Sequence, residues 1–297
     1  MRKKNIGIRY LAAGALLCGA LLLGSDSAEA AVVTKNTAQA EQRFAELSFE
    51  PSRFVLPEDA RALVVVEGFA VNGGRSVYQA EYTADPKLWN RARVTVFTKN
   101  TEGSWTEKIQ SAAVYGWGGM SNHRHSGDGS TPIGLWKADT PFGLKAAEPG
   151  FPADYIQISR SARKQFWSDM SNRLETNGDI AAQKGERLWA DWATTIYDYA
   201  LNSGFNRDRA QPGTGTALFL HCTKAGKPST AGCVAMDPEA MKGILRLYAR
   251  GGLYVAQAPE SQFESVYTAY SETGAAAAGE FRASWRQLPE TQTIVLE

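Results

Sequence analysis

Two segments organise this sequence: Phe219–Cys222 (FLHC) and, after a short loop, Ser229–Met236 (STAGCVAM). The 297-residue chain has only three histidines and three cysteines, and His221 stands twelve residues before Cys233. A cysteine attacks as its thiolate, which is scarce at neutral pH, and a neighbouring imidazole can accept the thiol proton. The two segments therefore indicate a candidate thiolate site, with Cys233 as nucleophile and His221 as base.

The residues around this pair favour such a site. Gly232 has no Cβ, so the turn before Cys233 can adopt backbone angles closed to other residues and aim its amides at the oxygen of a tetrahedral intermediate. The apolar run Thr216–Leu220 predicts a buried strand, which places His221 at a rigid strand end. A helix predicted to begin at Asp237 brings the positive end of its dipole close to Cys233, which favours a thiolate.

Two plainer interpretations stay open. Two cysteines in an exported protein most often pair, which would make Cys222 and Cys233 a disulfide. Against this, His221 and Cys222 are neighbours on the predicted strand and point to opposite faces, so Cys222 is expected in the core as a small apolar residue. His221 is also compatible with a histidine buried in the core, because a Cys and a His in one sequence need not meet in space.

The start of the chain has the pattern of a secretory signal peptide. A basic segment, Met1–Lys4, precedes an apolar stretch from Tyr10 to Leu23 and a small-x-small site that ends at Ala30. The apolar stretch is too short for a comfortable membrane span, although an uncleaved anchor is the alternative. We expect cleavage after Ala30, export to the periplasm or extracellular cell wall, loss of Cys18 with the signal, and no stable membrane span afterwards.

The composition of the chain excludes several classes of protein. Lys and Arg number 32 against 31 for Asp and Glu, and no basic block is present, which argues against nucleic acid as a partner. The few cysteines do not make a disulfide scaffold. No cofactor is expected.

Strand signals dominate the first half of the chain. Leu63–Val71 is rich in β-branched residues and is followed by an Asn-Gly turn and Ser76–Tyr82, which together predict a hairpin. Arg93–Thr98 alternates cleanly, and Trp105–Ile109 follows as its partner strand. Leu253–Ala256 is a further strand. The predicted fold class is mainly β with a few helices.

The predicted organisation has four parts. Residues 1–30 are the signal peptide, residues 31–58 an N-terminal arm with an amphipathic helix at Ala38–Leu47, residues 59–258 the catalytic domain, and residues 259–297 a C-terminal tail. The predicted helix that follows Cys233 has Asp237 as N-cap and ends at Gly251–Gly252.

Glycine is abundant between residues 116 and 134, where the other two histidines lie. The loop does not fit a dinucleotide-binding GxGxxG motif, because no strand-loop-helix unit surrounds it. His123, His125 and Asp128 could be metal ligands, but no Cys or Glu stands at ligand spacing, so no metal is expected. The plainer interpretation is a set of solvated turn residues.

Aromatic residues are frequent between residues 154 and 210, for example at Trp189, Trp192 and Tyr197. We expect most of them in the core or in the wall of a groove. A sugar-stacking surface is the alternative, and the sequence does not decide between the two.

Two motifs resemble the YkuD family of L,D-transpeptidase catalytic domains. His125–Trp136 (HSGDGSTPIGLW) is similar to the family's GDGKTPTG-aromatic segment. Phe219–His221 with Thr230–Val234 is similar to the family's signature, a histidine followed later by [Ser/Thr]-His-Gly-Cys. The motifs occur in the family's order, and the resemblance covers roughly Leu63 to Gln257.

The resemblance implies a YkuD-like β-sandwich of mixed sheets, with Cys233 as nucleophile, His221 as general base and the Gly232 and Cys233 amides as the oxyanion hole. In the family reaction the cysteine attacks the carbonyl after the third residue of a peptidoglycan stem tetrapeptide and releases D-alanine. A side-chain amine of a second stem peptide then resolves the thioester as a cross-link. Water in place of that amine would give an L,D-carboxypeptidase. A non-catalytic cell-wall-binding module with a Cys222–Cys233 disulfide is the alternative from another class.

Two positions depart from the family's pattern. Ala231 stands where many members have a second histidine, and Ala235 stands where an arginine often follows the cysteine. Recognition of a substrate carboxylate must then come from elsewhere, with Arg124 and Lys224 as candidates. The residues expected to bind substrate are Ser229, Thr230, Arg124 and Tyr115.

Overall fold

A computed structural model describes residues 32–33, 49–69, 90–177, 184–207, 211–225 and 227–271. The predicted signal peptide, the predicted helix at 38–47, the second strand of the predicted hairpin and the chain beyond 271 lie outside these residues. No helix among the described residues has both the length and the apolar character needed to cross a membrane.

The described residues form a mostly β structure. Its strands are β1 (Val32–Val33), β2 (Ala62–Gly68), β3 (Arg91–Lys99), β4 (Trp105–Val114), β5 (Met120–Ser121), β6 (Thr131–Pro132), β7 (Gly134–Lys137), β8 (Asp139–Gly143), β9 (Ile156–Gln157), β10 (Phe166–Ser168), β11 (Arg173–Glu175), β12 (Gly185–Glu186), β13 (Ala200–Asn202), β14 (Phe219–Cys222), β15 (Val234–Met236) and β16 (Leu253–Pro259). The helical segments include α1 (Pro238–Tyr248) and 3-10 helices at Pro51–Arg53, Asp191–Ala193 and Glu260–Ser265.

One large mixed sheet dominates the fold. Its strands lie in the order β7-β16-β2-β3-β4-β15-β14-β13-β8-β9, and β1 pairs with β4. The pairs β2–β16, β14–β15 and β8–β9 are parallel, whereas β2–β3 and β3–β4 are antiparallel. The predicted mainly β fold class is confirmed.

Both faces of this sheet are covered. All seven residues of β2 are buried, as expected for a strand that lies between two apolar layers. Val64 and Val66 belong to one core cluster, and Leu63 and Val65 belong to another. This division follows from the period of two along a strand.

Three apolar clusters result. The helix-side core includes Val64, Leu220, Cys222 and the buried face of α1. The arm-side core joins Phe49 and Phe54 to Phe263 and Tyr267, so residues from both ends of the described chain pack on the sheet. The cleft-side core comprises Phe142, Trp167, Leu188, Tyr197, Phe219 and Cys233 among others.

Helix α1 follows the predicted pattern. The Asp237 side chain accepts a hydrogen bond from Glu239 N at 2.8 Å, and Pro238 occupies the first turn. Met241, Ile244 and Leu245 are fully buried against the helix-side core. Because the helix begins directly after β15, its packing fixes that strand and the turn before it.

The predicted strands are found at the expected positions in the chain, but several of them begin or end at other residues than predicted. β3 and β16 contain the predicted strands at 93–98 and 253–256 and extend beyond them, and β4 continues from the predicted 105–109 to Val114. The predicted strand at Thr216–Leu220 is wrong at its start. Ala217 has a left-handed backbone (φ 56°), which a strand does not permit, so β14 begins only at Phe219.

Candidate active site

The pairing of β14 with β15 brings Cys233 and His221 to one face of the sheet. The parallel register aligns Leu220 with Val234 and His221 with Ala235. Cys233, directly before Val234, therefore lies beside Phe219, and Phe219 and His221 point the same way because they are two residues apart. Cys233 and His221 also line the same open cleft, which has a volume of about 1460 Å³.

Cys233 is a buried thiol held by backbone groups. Its Sγ donates to the Ala217 carbonyl at 3.3 Å and accepts from Phe219 N–H at 3.3 Å. Burial raises the pKa of Cys233 to about 12, and the nearby Glu186 carboxylate adds to the rise, while the Phe219 N–H and the Arg124 charge oppose it. The left-handed Ala217 turns its carbonyl toward the sulfur. The resting thiol is therefore protonated.

His221 is fixed by contacts on two sides. Its Nδ1 lies 2.9 Å from the Cys222 carbonyl oxygen, and its ring meets the Tyr197 ring edge-on with centroids 5.4 Å apart. A carbonyl only accepts, so Nδ1 carries the proton and Nε2 keeps its lone pair. Burial lowers the pKa of His221 to about 4, so the imidazole is neutral at neutral pH.

The turn before Cys233 is tightly packed. Gly232 has φ 127°, and a Cβ there would lie 2.8 Å from the Ser130 carbonyl oxygen. Thr230 Oγ1 accepts from Gly232 N–H at 3.1 Å and donates to the Cys233 carbonyl at 2.6 Å. Thr131 Oγ1 donates to the Gly232 carbonyl at 2.8 Å. Thr230 thus holds the turn. In this conformation its Oγ1 accepts the hydrogen bond of the Gly232 N–H, so a bound oxyanion would have to replace it there.

Arg124 lies in the cleft lining but is held inside the glycine-rich loop. Its guanidinium donates to the carbonyls of Ser130 and Thr214, lies 3.6 Å from an Asp128 oxygen, and stacks on Phe205 at 5.5 Å. Burial lowers the pKa of Arg124, though Asp128 counters this. The positive charge of Arg124 in turn lowers the pKa of Cys233, so this residue favours the thiolate.

A Tyr–Glu pair next to His221 has no signal in the sequence. Tyr197 OH donates to Glu186 Oε1, and both residues line the cleft. Burial raises the pKa of Glu186 to about 7, a rise that the Tyr197 hydrogen bond limits. Glu186 lies on β12, which pairs with β10, and Tyr197 lies 11 residues further along the chain, so the path of the chain between them brings the pair together.

The other predicted site residues are placed as follows. Ser229, Thr230 and Lys224 line the cleft with Cys233. Tyr115 is buried in the helix-side core, its hydroxyl donates to the Phe69 carbonyl at 3.4 Å, and its own carbonyl accepts from Thr230 N–H at 3.0 Å. Tyr115 therefore supports the turn through its backbone.

The glycine-rich loop is organised around Asp128. This carboxylate accepts from His125 N–H at 2.6 Å and from Ser130 N–H at 2.9 Å. Burial opposes ionisation, but these hydrogen bonds keep the pKa of Asp128 below its ordinary value. His125 Nδ1 lies 3.5 Å from Asp128, and no cluster of three potential metal ligands occurs among the residues with described positions.

The two cysteines do not form a disulfide, and each is a free thiol. Cys222 belongs to the helix-side core, and its Sγ lies 3.5 Å from the Tyr199 carbonyl oxygen. Cys233 belongs to the cleft-side core on the opposite face. The alternation along β14 predicted this separation.

Comparison with known proteins gives one match to a family and one to a solved structure. The model of the YkuD family, described as the L,D-transpeptidase catalytic domain, matches residues 89–253, which is more than half of the chain. No curated protein matches. The crystal structure of the helical cell shape determining protein Pgp2 from Campylobacter jejuni is 15% identical, with 74% of this chain and 57% of that chain covered and a TM-score of 0.33. The chain thus spans little more than half the length of that protein.

Proposed function

Because the chain belongs to the YkuD family of L,D-transpeptidase catalytic domains, we propose that it is an exported acyl transferase that cross-links peptidoglycan stem peptides through a thioester on Cys233. The observation that carries this proposal is the β14–β15 register, which sets Cys233 and His221 on one face of the sheet and in one cleft. The hydrogen bond between His221 Nδ1 and the Cys222 carbonyl supports it further, because it leaves Nε2 free to accept a proton.

The first half-reaction begins with the thiol. Cys233 Sγ leaves the Ala217 carbonyl, transfers its proton to His221 Nε2, and attacks the carbonyl carbon after the third stem residue. The imidazolium formed beside the sulfur, together with the Arg124 charge, stabilises the thiolate that burial alone disfavours. The proton then passes from His221 to the leaving amine of D-alanine, and the acyl group remains on sulfur.

The turn at Gly232 stabilises the developing oxyanion in this scheme. The amides of Gly232 and Cys233 are the expected donors, and Gly232 N–H exchanges its bond with Thr230 Oγ1 for the stronger bond to a charged oxygen. In the second half-reaction, His221 removes a proton from the amine of a second stem peptide. That amine attacks the thioester and releases Cys233 as a thiol.

Substrate recognition does not use the usual arginine after the cysteine, since Ala235 occupies that position. Ser229 and Lys224 line the cleft and are the proposed contacts for the peptide carboxylate and backbone. The guanidinium N–H groups of Arg124 already donate to backbone carbonyls. We therefore propose that Arg124 stabilises the Cys233 thiolate by its charge and does not contact the substrate. We place the reaction outside the cytoplasm, where the signal-like segment at 1–30 would deliver the chain and where peptidoglycan lies.

The test incubates the purified mature protein with disaccharide-tetrapeptides and analyses the products by mass spectrometry. Cross-linked dimers with loss of D-alanine support the proposal. Tripeptides without dimers assign the same acyl-enzyme to hydrolysis, the L,D-carboxypeptidase reaction.

A second experiment tests the nucleophile independently of the acceptor. Incubation with a carbapenem, an acylating agent for enzymes of this type, is expected to add one mass equivalent, and peptide mapping is expected to locate it on Cys233. Full cross-linking by Cys233→Ala, or an adduct on another residue, contradicts the assignment.

A further inference from the structure

Exposed apolar side chains concentrate at the cleft. Among the residues that the structure describes, the large apolar side chains with high exposure are Trp117 (54%), Met170 (76%), Trp192 (50%) and Val55 (45%). The first three line the cleft that contains Cys233 and His221. Since scattered exposed apolar residues are ordinary but grouped ones mark binding surfaces, this distribution indicates a ligand.

Trp117 is a rigid platform with one free face. A Cβ on Gly129 would lie 2.0 Å from the Trp117 ring, so the indole rests directly on the Gly129 backbone. The backbone N–H of Trp117 donates to the Thr230 carbonyl at 2.9 Å, which ties the residue that carries this platform to the turn before Cys233. Half of the side chain nevertheless faces solvent, and its position is fixed without any contact on that face.

Trp192 is linked to His221 through Tyr197. It lies in the 3-10 helix Asp191–Ala193, and its ring meets the Tyr197 ring at 5.8 Å and 72°. Tyr197 in turn packs on the His221 ring. The two half-exposed indoles are thus connected to the two members of the reactive pair, Trp117 through Thr230 and Trp192 through Tyr197.

We infer that Trp117 and Trp192 bind the sugar part of a glycopeptide substrate by stacking on its pyranose rings. This inference rests on the proposed function, because the peptide of such a substrate must reach Cys233. The C–H face of a pyranose is apolar and slightly positive, and it complements the negative face of an indole. Polar side chains that could bind hydroxyl and acetamido groups share the cleft lining: Asp169, Lys184, Arg187 and Gln211.

The mixture of polar and aromatic groups favours a saccharide over a protein partner. A protein interface has a continuous apolar centre from which charged residues are depleted. Here the exposed aromatics are interspersed with charged side chains along the same cleft, as a ligand with both C–H faces and hydroxyl groups requires.

The test compares two donors that differ only in the sugar: a disaccharide-tetrapeptide and the same tetrapeptide without saccharide. We expect the wild-type protein to have the higher kcat/KM for the glycosylated donor. Trp117→Ala and Trp192→Ala are each expected to lower kcat/KM for that donor about tenfold and to leave the sugar-free donor within about twofold. Val55→Ala, which removes an exposed apolar side chain outside the cleft, is the matched control and should change neither value.

Equal loss on both donors, or no loss on either, overturns the inference. A binding measurement separates it from the proposed function: peptide-free N-acetylglucosamine tetramer is titrated calorimetrically into the Cys233→Ala protein. The Trp117→Ala and Trp192→Ala substitutions are then added, one at a time, to the Cys233→Ala protein. Binding of the tetramer that is lost in these double variants supports the saccharide surface even if no donor is turned over. Absence of binding together with turnover that does not depend on the sugar rejects the surface while the acyl-transfer proposal stands.

Discussion

Cys222 and Cys233 are chemically alike but lie in different regions of the molecule. Both are free and buried, and burial raises the pKa of each to about 12. Cys222 packs in the helix-side core with the buried face of α1, although it also borders the large cleft. Cys233 lies on the opposite face, where the same cleft contains His221, Glu186 and Arg124.

The difference shows that burial alone does not identify a nucleophile. The Cys222 thiol donates to the Tyr199 carbonyl and packs among the apolar side chains of the helix-side core, as a small apolar residue does. A thiol of similar burial that faces a cleft, a neutral imidazole and a cation can react once substrate brings these groups together. The proposed roles of the two cysteines therefore follow from the face of the sheet on which each one lies.

The largest expected effect separates the two cysteines directly. Cys233→Ala should reduce acyl transfer by at least about 10³-fold, because the bond-forming atom is removed. Cys222→Ala should retain activity within about twofold and lower the free energy of unfolding by roughly 1 kcal/mol through lost packing. Product formation and denaturant unfolding of both variants measure this contrast. Equal loss of activity in the two variants would contradict the proposal that only the cysteine on the cleft side of the sheet reacts.

His221 is expected to have the next largest effect. His221→Ala should lower kcat by about 10²- to 10⁴-fold, because the side chain proposed to take the thiol proton is removed. Circular dichroism of the variant should be unchanged. Slow acylation that recovers at high pH, where hydroxide replaces the base, would support a proton-transfer role, whereas a loss that is the same at every pH would indicate a structural role.

The influence of Glu186 on the Cys233 thiol can be tested by alkylation. Its carboxylate raises the pKa of Cys233, so Glu186→Gln should speed alkylation of Cys233 by iodoacetamide about threefold above pH 8. Because the pKa of Glu186 is about 7, the wild-type carboxyl is already neutral at pH 6, and the two rates should converge there.

Asp191→Asn is the matched control for this experiment, since Asp191 is a fully exposed acid that pairs with Arg160 and is not among the charges that shift the pKa of Cys233 or Glu186. Its alkylation rate should follow the wild type at both pH values. The proposed influence of Glu186 would be wrong if the rates of Glu186→Gln and the wild type differed by the same factor at pH 6 and pH 8.

The smallest effect is expected on the helix side. Asp237→Ala removes the side chain that caps α1 and should lower the free energy of unfolding by about 1 kcal/mol. The kcat of this variant should stay within about twofold of wild type, because Asp237 does not line the cleft. Thermal unfolding and the product assay measure the two quantities. A large loss of activity with little loss of stability would mean that α1 acts on Cys233 electrostatically and not only by packing.

Much of the site could be predicted from local sequence. The strict alternation along Phe219–Cys222 predicts that His221 and Cys222 face opposite ways, and the structure has Cys222 in the helix-side core. Asp237 and Pro238 predict the start of α1, which the structure confirms. The two family motifs predict a YkuD domain, which the family match confirms. The catalytic roles of Cys233, His221 and Gly232 stay predictions.

Other features depend on contacts between residues far apart in the chain, and no local pattern encodes these. The left-handed Ala217 lies within an apolar run that favours a strand, but its N–H donates to Asn172 Oδ1 and its carbonyl accepts from the Cys233 thiol. Glu186 is an ordinary charged residue in sequence, and it is burial in the cleft that raises its pKa to about 7, against the opposing effect of the hydrogen bond from Tyr197.

The sequence by itself determined the end of the strand that carries His221, the glycine turn and the capped helix, because strand alternation, a missing Cβ and a capping side chain all act within a few residues. Only the tertiary structure decided what surrounds the sulfur: the Ala217 carbonyl, the Tyr197–Glu186 pair and the internally bonded Arg124. The physical reason is that hydrogen-bond partners and desolvation depend on which chain segments pack together, and packing joins residues that the sequence keeps apart.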